Sequence, residues 1–371
     1  MKTFYRFIAA TALTMAASSA FQTAEAQHVN IEAATKYWEI TDALRQNQPL
    51  TDEAWKEFLE IQGNKVYVKG VFSESDLKAY RKAIETVYMP QHDSLLQVKL
   101  KAGTWYYVLV NDYKTNEAHH QKYVQETSEN PEYLDLMYTL AYEYLPQRAH
   151  TKVEDLQLYY NALGNDAASR SEGIFFSINA AINWNKYKEG SLEAHEIHHQ
   201  IRPRREFGEV SEPDAGIMWA LASVQNEGIA DQIDKRVILE GGGEDAAGVE
   251  GWLLKPAPGI IQQLDTMMVA LANNSAEASQ PVKHYVRMFK GSGGHIPGFY
   301  MANVIERNGY HRKMIQTADD PFAFIRLYQK AAKKDKASAP VFSKASMAYL
   351  KKLEKKYAVK GAVKQKVTAS L

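Results

Sequence analysis

The 371-residue chain contains no cysteine, which excludes disulfide bonds, thiol nucleophiles, zinc ribbons and iron–sulfur clusters. Any metal site must therefore be built from His, Asp and Glu side chains. The chain also lacks net charge, because 44 Lys and Arg residues balance 44 Asp and Glu residues. This balance provides no basic footprint for a nucleic-acid partner, and we expect none.

The chain has no apolar run beyond its amino terminus that reaches the roughly 20 residues of a membrane-spanning helix. At the amino terminus, Lys2 and Arg6 flank the start of an apolar stretch, and an Ala-Glu-Ala site follows at 24–26. This pattern predicts a cleaved signal peptide over residues 1–26, with an uncleaved anchor as the alternative. We therefore expect an exported bacterial protein, periplasmic or secreted, without a transmembrane segment after cleavage.

A helix is predicted from Ser191 to the residues before Pro203, because Ser favours helix starts and Pro ends the pattern. Within it, His195 and His199 are four residues apart and share one face of the helix. Two imidazoles placed in this way can bind one Zn²⁺, and Glu196 lies beside them as a candidate general base. The segment is thus an H-E-x-x-H motif.

A second, longer helix is predicted from Pro213 to Leu239, followed by a run of glycines. Its residues Glu227 and Asp231 are four apart and share a face. Glu227 can be the third metal ligand, and Asp231 can accept the other N–H of a ligating histidine. Two His and one carboxylate leave one open position on a single zinc per chain, although cobalt or manganese would suit the same ligands.

The two motifs together resemble the gluzincin metallopeptidases. In that family an H-E-x-x-H helix is followed by a helix with N-E-x-x-S-D, and this chain has Asn226-Glu227-x-x-Ala230-Asp231, so Ala replaces Ser. The metzincin pattern is not favoured, because Arg202 and Arg205 stand where it requires Gly and His. The chain also resembles a bacterial family of exported, largely helical, uncharacterised zinc-dependent peptidases, a likeness that extends over about residues 150–330.

The resemblance implies zinc ligation by His195, His199 and Glu227. It further implies that Glu196 acts as general base, that Asp231 supports a ligand, and that the strand at 175–179 is a sheet edge to which an extended peptide adds.

Gluzincins typically place a His or Tyr donor beside the metal to stabilise the oxyanion of the reaction. In this chain, a glycine-rich turn at 291–294 leads into a predicted helix that carries His295 and Tyr300. Either residue is a candidate for that donor. The alternative is that Tyr300 is a core residue and that His295 caps the loop.

These observations predict an exported zinc-dependent peptidase that hydrolyses peptide bonds with metal-activated water and Glu196 as general base. Its partner would be a peptide or protein substrate, whereas the oligomeric state is not indicated by any motif. One alternative is a non-catalytic or degenerate metal-binding protein with a structural zinc site. Another is an unrelated hydrolase built on the same zinc scaffold.

The predicted fold is mainly α (α+β), with a gluzincin-like catalytic unit in which a small mixed sheet lies beside the H-E-x-x-H helix. Helical periodicity predicts a helical N-terminal region over 27–150, in which Ser73 caps a helix. The predicted catalytic region spans 151–330. Residues 331–371 carry 11 Lys against two acidic residues and are predicted to form a basic helix and tail.

Overall fold

The structure is a computed structural model that describes residues 29–273 and 278–364, with side chains described through Tyr357. The predicted signal peptide (1–26) and residues 365–371 of the predicted basic tail lie outside this part of the chain. Helices dominate the described residues, and a small mixed sheet accompanies them. The predicted fold class, mainly α (α+β), is confirmed.

Helices form the described part of the chain before the sheet, apart from the short strand β1 (Val29–Asn30). In chain order they are α1 (Glu32–Arg45), α2 (Asp52–Glu60), α3 (Gln62–Val71), α4 (Glu74–Tyr88), α5 (Asp93–Lys101), α6 (Trp105–Thr115), α7 (Glu117–Glu129) and α8 (Tyr133–Tyr142). The predicted cap of α4 is confirmed, because Ser73 accepts from the Asp76 backbone N–H and Asp76 accepts from that of Ser73.

The sheet consists of β1, β2 (Leu158–Asn161), β3 (Ala167–Arg170) and β4 (Gly173–Ser177), in the order β1-β2-β4-β3. Strand β4 pairs in parallel with β2 and antiparallel with β3. The expectation that residues 175–179 form a sheet edge is therefore wrong, because β4 lies between β2 and β3, and the edge strands of the described sheet are β1 and β3. Residue 178 already begins the next helix, since the Ser177 side chain caps it.

Three helices follow the sheet: α9 (Ile178–Asn185), α10 (Ser191–Ile201) and α11 (Glu212–Gly241). Helix α10 is the predicted H-E-x-x-H helix, but its N-cap is Gly190 instead of Ser191. Gly190 has φ +72°, a left-handed conformation that glycine adopts without strain. Helix α11 begins with Pro213 in its first turn and ends at the predicted glycine run.

Seven further helices follow α11 in the described part of the chain. They are α12 (Gly243–Val249), α13 (Ala257–Ala272), α14 (Val282–Met288), α15 (His295–Arg307), α16 (His311–Ile315), α17 (Pro321–Ala332) and α18 (Lys344–Tyr357), and a π-helical turn spans Glu250–Leu254. Strand β5 (Arg204–Phe207) pairs antiparallel with β6 (Ala358–Lys364). None of the described helices is both long and apolar enough to cross a membrane.

Helices α11 and α15 cross at a point where both carry glycine. A Cβ added to Gly228 would lie 2.5 Å from the carbonyl oxygen of Gly298, and one added to Gly298 would lie 2.4 Å from that of Val224. Any side chain at either position would push the helices apart. This close approach brings the amino terminus of α15 next to the face of α11 that carries Glu227 and Asp231.

Candidate metal centre

The two motif histidines of α10 are buried and point to one place. His195 is 2% exposed and His199 is 9% exposed, and their Nε2 atoms lie 3.0 Å apart. A spacing of four residues sets this arrangement, because it puts both side chains on one helix face, one turn apart. The pair therefore presents two imidazole nitrogens to a common point.

Glu227 of α11 completes a three-ligand group with this pair. Its Oε2 lies 3.2 Å from the Nε2 of His199 and 3.7 Å from that of His195. Ligand atoms around one tetrahedral zinc ion are roughly 3.3–3.5 Å apart, given zinc–ligand bonds of about 2.0–2.2 Å. The spacing and chemistry of these three atoms thus fit a zinc ion.

Each ring nitrogen that faces away from this point has an oxygen partner. His195 Nδ1–H donates to Asp234 Oδ1 at 3.1 Å, and His199 Nδ1–H donates to Asn226 Oδ1 at 3.0 Å. Such bonds fix the tautomer in which Nε2 carries a lone pair, the form that binds a metal. Both imidazoles are therefore oriented for ligation.

Asp231 lies closer to His295 than to a motif histidine. Its Oδ1 accepts from His295 Nδ1–H at 2.9 Å, whereas the distance from Oδ1 to His195 Nδ1 is 3.6 Å. Asp234, one turn further along α11, is the acceptor for His195. The acceptor next to His195 is therefore Asp234 instead of the predicted Asp231, and Asp231 lies next to His295, a candidate oxyanion donor.

Lys235 links the two aspartates. Its Nζ lies 2.9 Å from Asp231 and 2.9 Å from Asp234, and the residue is 4% exposed. Burial lowers the pKa of Lys235, but the two carboxylates more than offset this effect, so the pKa is raised. Burial raises the pKa of the Asp234 carboxyl, but the Lys235 ammonium and His195 more than offset this effect and bring the pKa below its usual range.

The neighbouring carboxylates favour positive charge on the imidazoles of His195 and His295. Burial lowers the pKa of His195, yet Asp234 more than offsets burial and raises it to about 10. Burial also lowers the pKa of His295, but the neighbouring carboxylates, chiefly Asp231, more than offset burial. The pKa of His295 is therefore raised. Burial raises the pKa of the Glu227 carboxyl, but His199 and His295 bring it well below its usual range. A centre that attracts protons in this way also attracts a metal cation.

His295 is the first residue of α15, and the structure places it at the metal centre. Its Nε2 lies 3.5 Å from Glu227 Oε2, and its ring stacks at 5.8 Å from that of His195. Tyr300 is five residues later, about 140° around the helix. Its ring lies 5.9 Å from the Arg307 guanidinium carbon and does not line the cavity around His295.

Glu196 stands apart from this bonded network. Its side chain lines the cavity next to His195 and His199, and it forms no hydrogen bond or ion pair with another described residue. The residue is 9% exposed. A carboxylate at this place is free to accept a proton from water at the metal centre.

The metal centre opens into a cavity of about 440 Å³. The edge strand β3 forms one wall, and Trp184 and Trp252 form an aromatic wall near His295. Trp252 belongs to the π-helical turn, a distortion that frequently occurs at functional sites. Three arginines, Arg170, Arg202 and Arg204, also line the cavity. The volume is in the range of sites that bind small molecules or short peptide segments.

The sequence model of one protein family, described as "Putative zinc dependent peptidase (DUF5700)", matches residues 55–337. The chain belongs to this family. The match includes the H-E-x-x-H helix, the helix that carries Glu227, and His295. No curated protein and no solved structure matches the chain. Family membership supports zinc as the metal and a peptidase as the general class.

Several residues of the centre were not identified from the sequence. Asp234 could have been found, because it lies seven residues after Glu227 and so returns to the same helix face. Lys235 carries no such signal, since buried lysines are rare. Arg202, Trp184 and Trp252 reach the cavity only through the tertiary packing of separate segments, which no local pattern reports.

Proposed function

We propose that this protein is a gluzincin-like peptidase that uses one zinc ion per chain to hydrolyse peptide bonds. The observation that carries the proposal is the convergence of His195, His199 and Glu227 beside an unpaired carboxylate, Glu196, in an open cavity. A purely structural zinc site usually has four protein ligands. Three ligands with a neighbouring free carboxylate favour catalysis over the structural alternative.

When bound, the zinc ion would supply Lewis acidity that polarises the scissile carbonyl and makes nearby water more acidic. The chain's own residues supply the remaining chemistry. Asp234 and Asn226 hold the imidazoles of His195 and His199 in the ligating tautomer. Glu196 accepts a proton from the attacking water and then donates it to the departing amine.

His295 is proposed as the donor to the oxyanion that develops on the scissile carbonyl. Its Nδ1–H is fixed by Asp231, so that Nε2 faces the metal centre and donates when the ring is protonated. Asp231 and Glu227 favour that protonated form. Of the two residues considered from the sequence, His295 has the geometry for this role.

The edge strand β3 is proposed to bind the substrate backbone. It is the outer strand of the described four-stranded sheet next to the metal centre, and residues 167–170 line the cavity. An extended peptide can add to such an edge through main-chain hydrogen bonds. This arrangement would hold a peptide bond near the metal without requiring a particular side chain.

Export to a bacterial periplasm or the medium is also part of the proposal. It rests on the predicted signal peptide, residues 1–26. Expression of the full chain in a bacterial host and mass measurement of the exported product test it. A product that begins at Gln27 is expected, and full-length protein retained in the membrane would instead indicate an anchor.

The peptidase proposal is tested with the chain from Gln27 to Leu371, loaded with zinc and incubated with a mixed library of quenched fluorescent peptides. We expect cleavage that a chelator abolishes, that added zinc restores, and that Glu196→Gln lacks. Mass spectrometry of the products must show hydrolysed peptide bonds. Stoichiometric zinc without cleavage of any peptide would contradict catalysis and favour the structural alternative.

A further inference from the structure

One part of the cavity wall carries positive charge that the proposed reaction does not use. Arg202 directly follows α10, and Arg204 begins strand β5. Arg170 is the last residue of the edge strand β3. All three line the same cavity as the metal ligands. We refer to Arg170, Arg202 and Arg204 as the arginine wall.

The ends of α10 and β3 are tied together, and this contact brings the arginine wall to one place. Gln200 Nε2 donates to the carbonyl oxygen of Arg170 at 2.8 Å and to Ser169 Oγ at 2.5 Å. Arg204 Nη2 donates to the His199 carbonyl oxygen at 3.3 Å, so its guanidinium also lies at the end of α10. The wall therefore adjoins the metal-binding turn.

Arg202 is the arginine of the wall whose hydrogen-bonding groups are least satisfied. Its Nε is buried without a hydrogen-bond partner, and its guanidinium forms no ion pair with a described carboxylate. Burial and the neighbouring charge of Arg204 lower the pKa of Arg202 to about 9, although Glu227 acts in the opposite direction. The side chain is still charged near neutral pH, and a buried unpaired charge is costly unless a ligand compensates it.

The other charges that line the cavity do not neutralise Arg202. Lys235 is already matched by two aspartates. Glu196 and Glu227 belong to the reaction centre, which leaves Asp166 as the remaining acidic residue among those that line the cavity. Arginine guanidinium groups bind carboxylates in a bidentate manner. The cavity thus combines the candidate metal centre with one unmatched guanidinium, that of Arg202, which can bind an anion.

We propose that Arg202, supported by Arg204 and Arg170, binds a carboxylate of the peptide substrate and so gives the enzyme a preference for peptides that place a carboxylate at this wall. This inference rests on the proposed peptidase function and specifies its substrate class. The carboxylate has two possible sources, an Asp or Glu side chain near the scissile bond or the carboxyl terminus of the peptide. Both present the same group to the guanidinium.

Binding to an inactive enzyme tests the proposal without a need for turnover. Zinc-loaded Glu196→Gln protein is titrated into amino-terminally labelled hexapeptides, and fluorescence anisotropy gives each Kd. One set compares a single Glu with Gln at each position, with the carboxyl terminus amidated. A second set compares the free carboxyl terminus with the amide in peptides without acidic side chains. The two sets distinguish the two carboxylate sources.

We expect at least tenfold tighter binding of the carboxylate peptide than of its neutral partner in one of the two sets. In the double variant Glu196→Gln/Arg202→Gln, that ratio should fall to within about twofold of unity. Arg202→Lys should recover only part of the preference, because Lys keeps the charge but loses the bidentate geometry. Arg312→Gln, which removes an exposed arginine on α16, should leave the ratio unchanged.

Folding is monitored by the Tm and zinc content of each variant, and Arg170→Gln supplies a second test should Arg202→Gln unfold. Equal affinity for carboxylate and neutral peptides, or a preference that survives both substitutions, would overturn the proposal while leaving the peptidase function intact. Failure to bind any peptide would overturn both. In a further outcome, the preference for carboxylate peptides exists and is lost in Arg202→Gln, but the wild type cleaves no peptide. That outcome would support the carboxylate site and contradict the peptidase function.

Discussion

Helix α10 carries two acidic residues, Glu193 and Glu196, whose surroundings differ sharply. Glu193 is completely buried and accepts from three tyrosine hydroxyls, those of Tyr123, Tyr133 and Tyr160, and from the side-chain amide of Asn185. Glu196 lies one turn later at the cavity and has no such partner. One carboxylate is thus held by neutral donors, and the other is left free.

The difference distinguishes a buried acid that stabilises the fold from a buried acid that is available for chemistry. The donors to Glu193 come from α7, α8, β2 and α9, so this one side chain fixes α10 against four elements. Burial raises the pKa of Glu193, and the hydrogen bonds oppose that rise. Around the metal centre, by contrast, the partners include the charged groups Asp231, Asp234 and Lys235 as well as the neutral Asn226. We infer that the Glu193 cluster positions the helix on which the centre is built.

The largest effect is expected from Glu196→Gln. Loss of a general base typically lowers the rate by about 10²- to 10⁴-fold, and the amide cannot accept the proton. Zinc content and Tm should match those of the wild type, because Glu196 holds no other residue. Steady-state kinetics on a cleaved peptide would measure the change. Retention of more than a tenth of wild-type kcat would exclude Glu196 as the base.

Glu193→Ala should destabilise the fold. The substitution leaves three buried hydroxyls and one amide without their acceptor, at a cost on the order of 3 kcal/mol of unfolding free energy. Urea unfolding of the zinc-free protein would measure the loss of unfolding free energy. The matched control is Glu129→Ala, which removes an exposed carboxylate. Unchanged stability of Glu193→Ala would show that the cluster does not hold α10 in place.

Asp234→Asn and Asp231→Asn separate the roles of two neighbouring acids. Asp234 orients His195, so its substitution should weaken zinc affinity by about 10- to 100-fold. Asp231 accepts from His295, so its substitution should lower kcat more than zinc affinity. Competition with a chromophoric chelator gives the affinities. The reverse pattern, with zinc lost chiefly in Asp231→Asn, would restore the role that the sequence predicted for Asp231.

The smallest effect is a pH dependence of zinc binding. Without metal, the raised pKa of His195, about 10, keeps the ring protonated at neutral pH, and zinc must displace that proton. Zinc affinity should therefore increase as the pH rises towards about 10. In the zinc-free protein, the stabilisation from protonated His195 is fully present below its unfolded pKa, about 6.5, and is lost as the pH rises through about 10.

Titration calorimetry at pH 7.5 in two buffers of different ionisation enthalpy counts the protons released per zinc. We expect about one or more. Release of no proton, together with an affinity that does not change between pH 6.5 and 8.5, would contradict the electrostatic account of the centre.

The sequence predicted those parts of the site that depend on helical periodicity. A spacing of four residues was enough to pair His195 with His199, and the boundaries of α10 and α11 followed from their Pro and Gly residues. Glu227 was predicted as the third ligand from its helix face and from the resemblance to gluzincins, and its Oε2 lies 3.2 Å from His199 Nε2. The fold class also followed from the helical pattern of the chain.

Residues that depend on contacts between distant segments were not predictable in the same way. β3 is an edge strand because β4, and not β3, pairs with β2. The residue pattern within one strand does not indicate the order of strands in the sheet. His295 and Tyr300 were equivalent candidates until the crossing of α11 with α15 fixed which side of α15 meets Glu227. The arginine wall exists only because α10 and β3 end at the same place.

His195, His199 and Glu227 are proposed to hold one zinc ion. Metal content per chain in purified residues 27–371 tests it most directly, for the wild type, Glu227→Ala and the control Glu240→Ala, which removes an exposed carboxylate from the same helix. We expect about one zinc per chain in the wild type and in Glu240→Ala, and little in Glu227→Ala. Full zinc occupancy in Glu227→Ala, with affinity equal to the wild type, would contradict it.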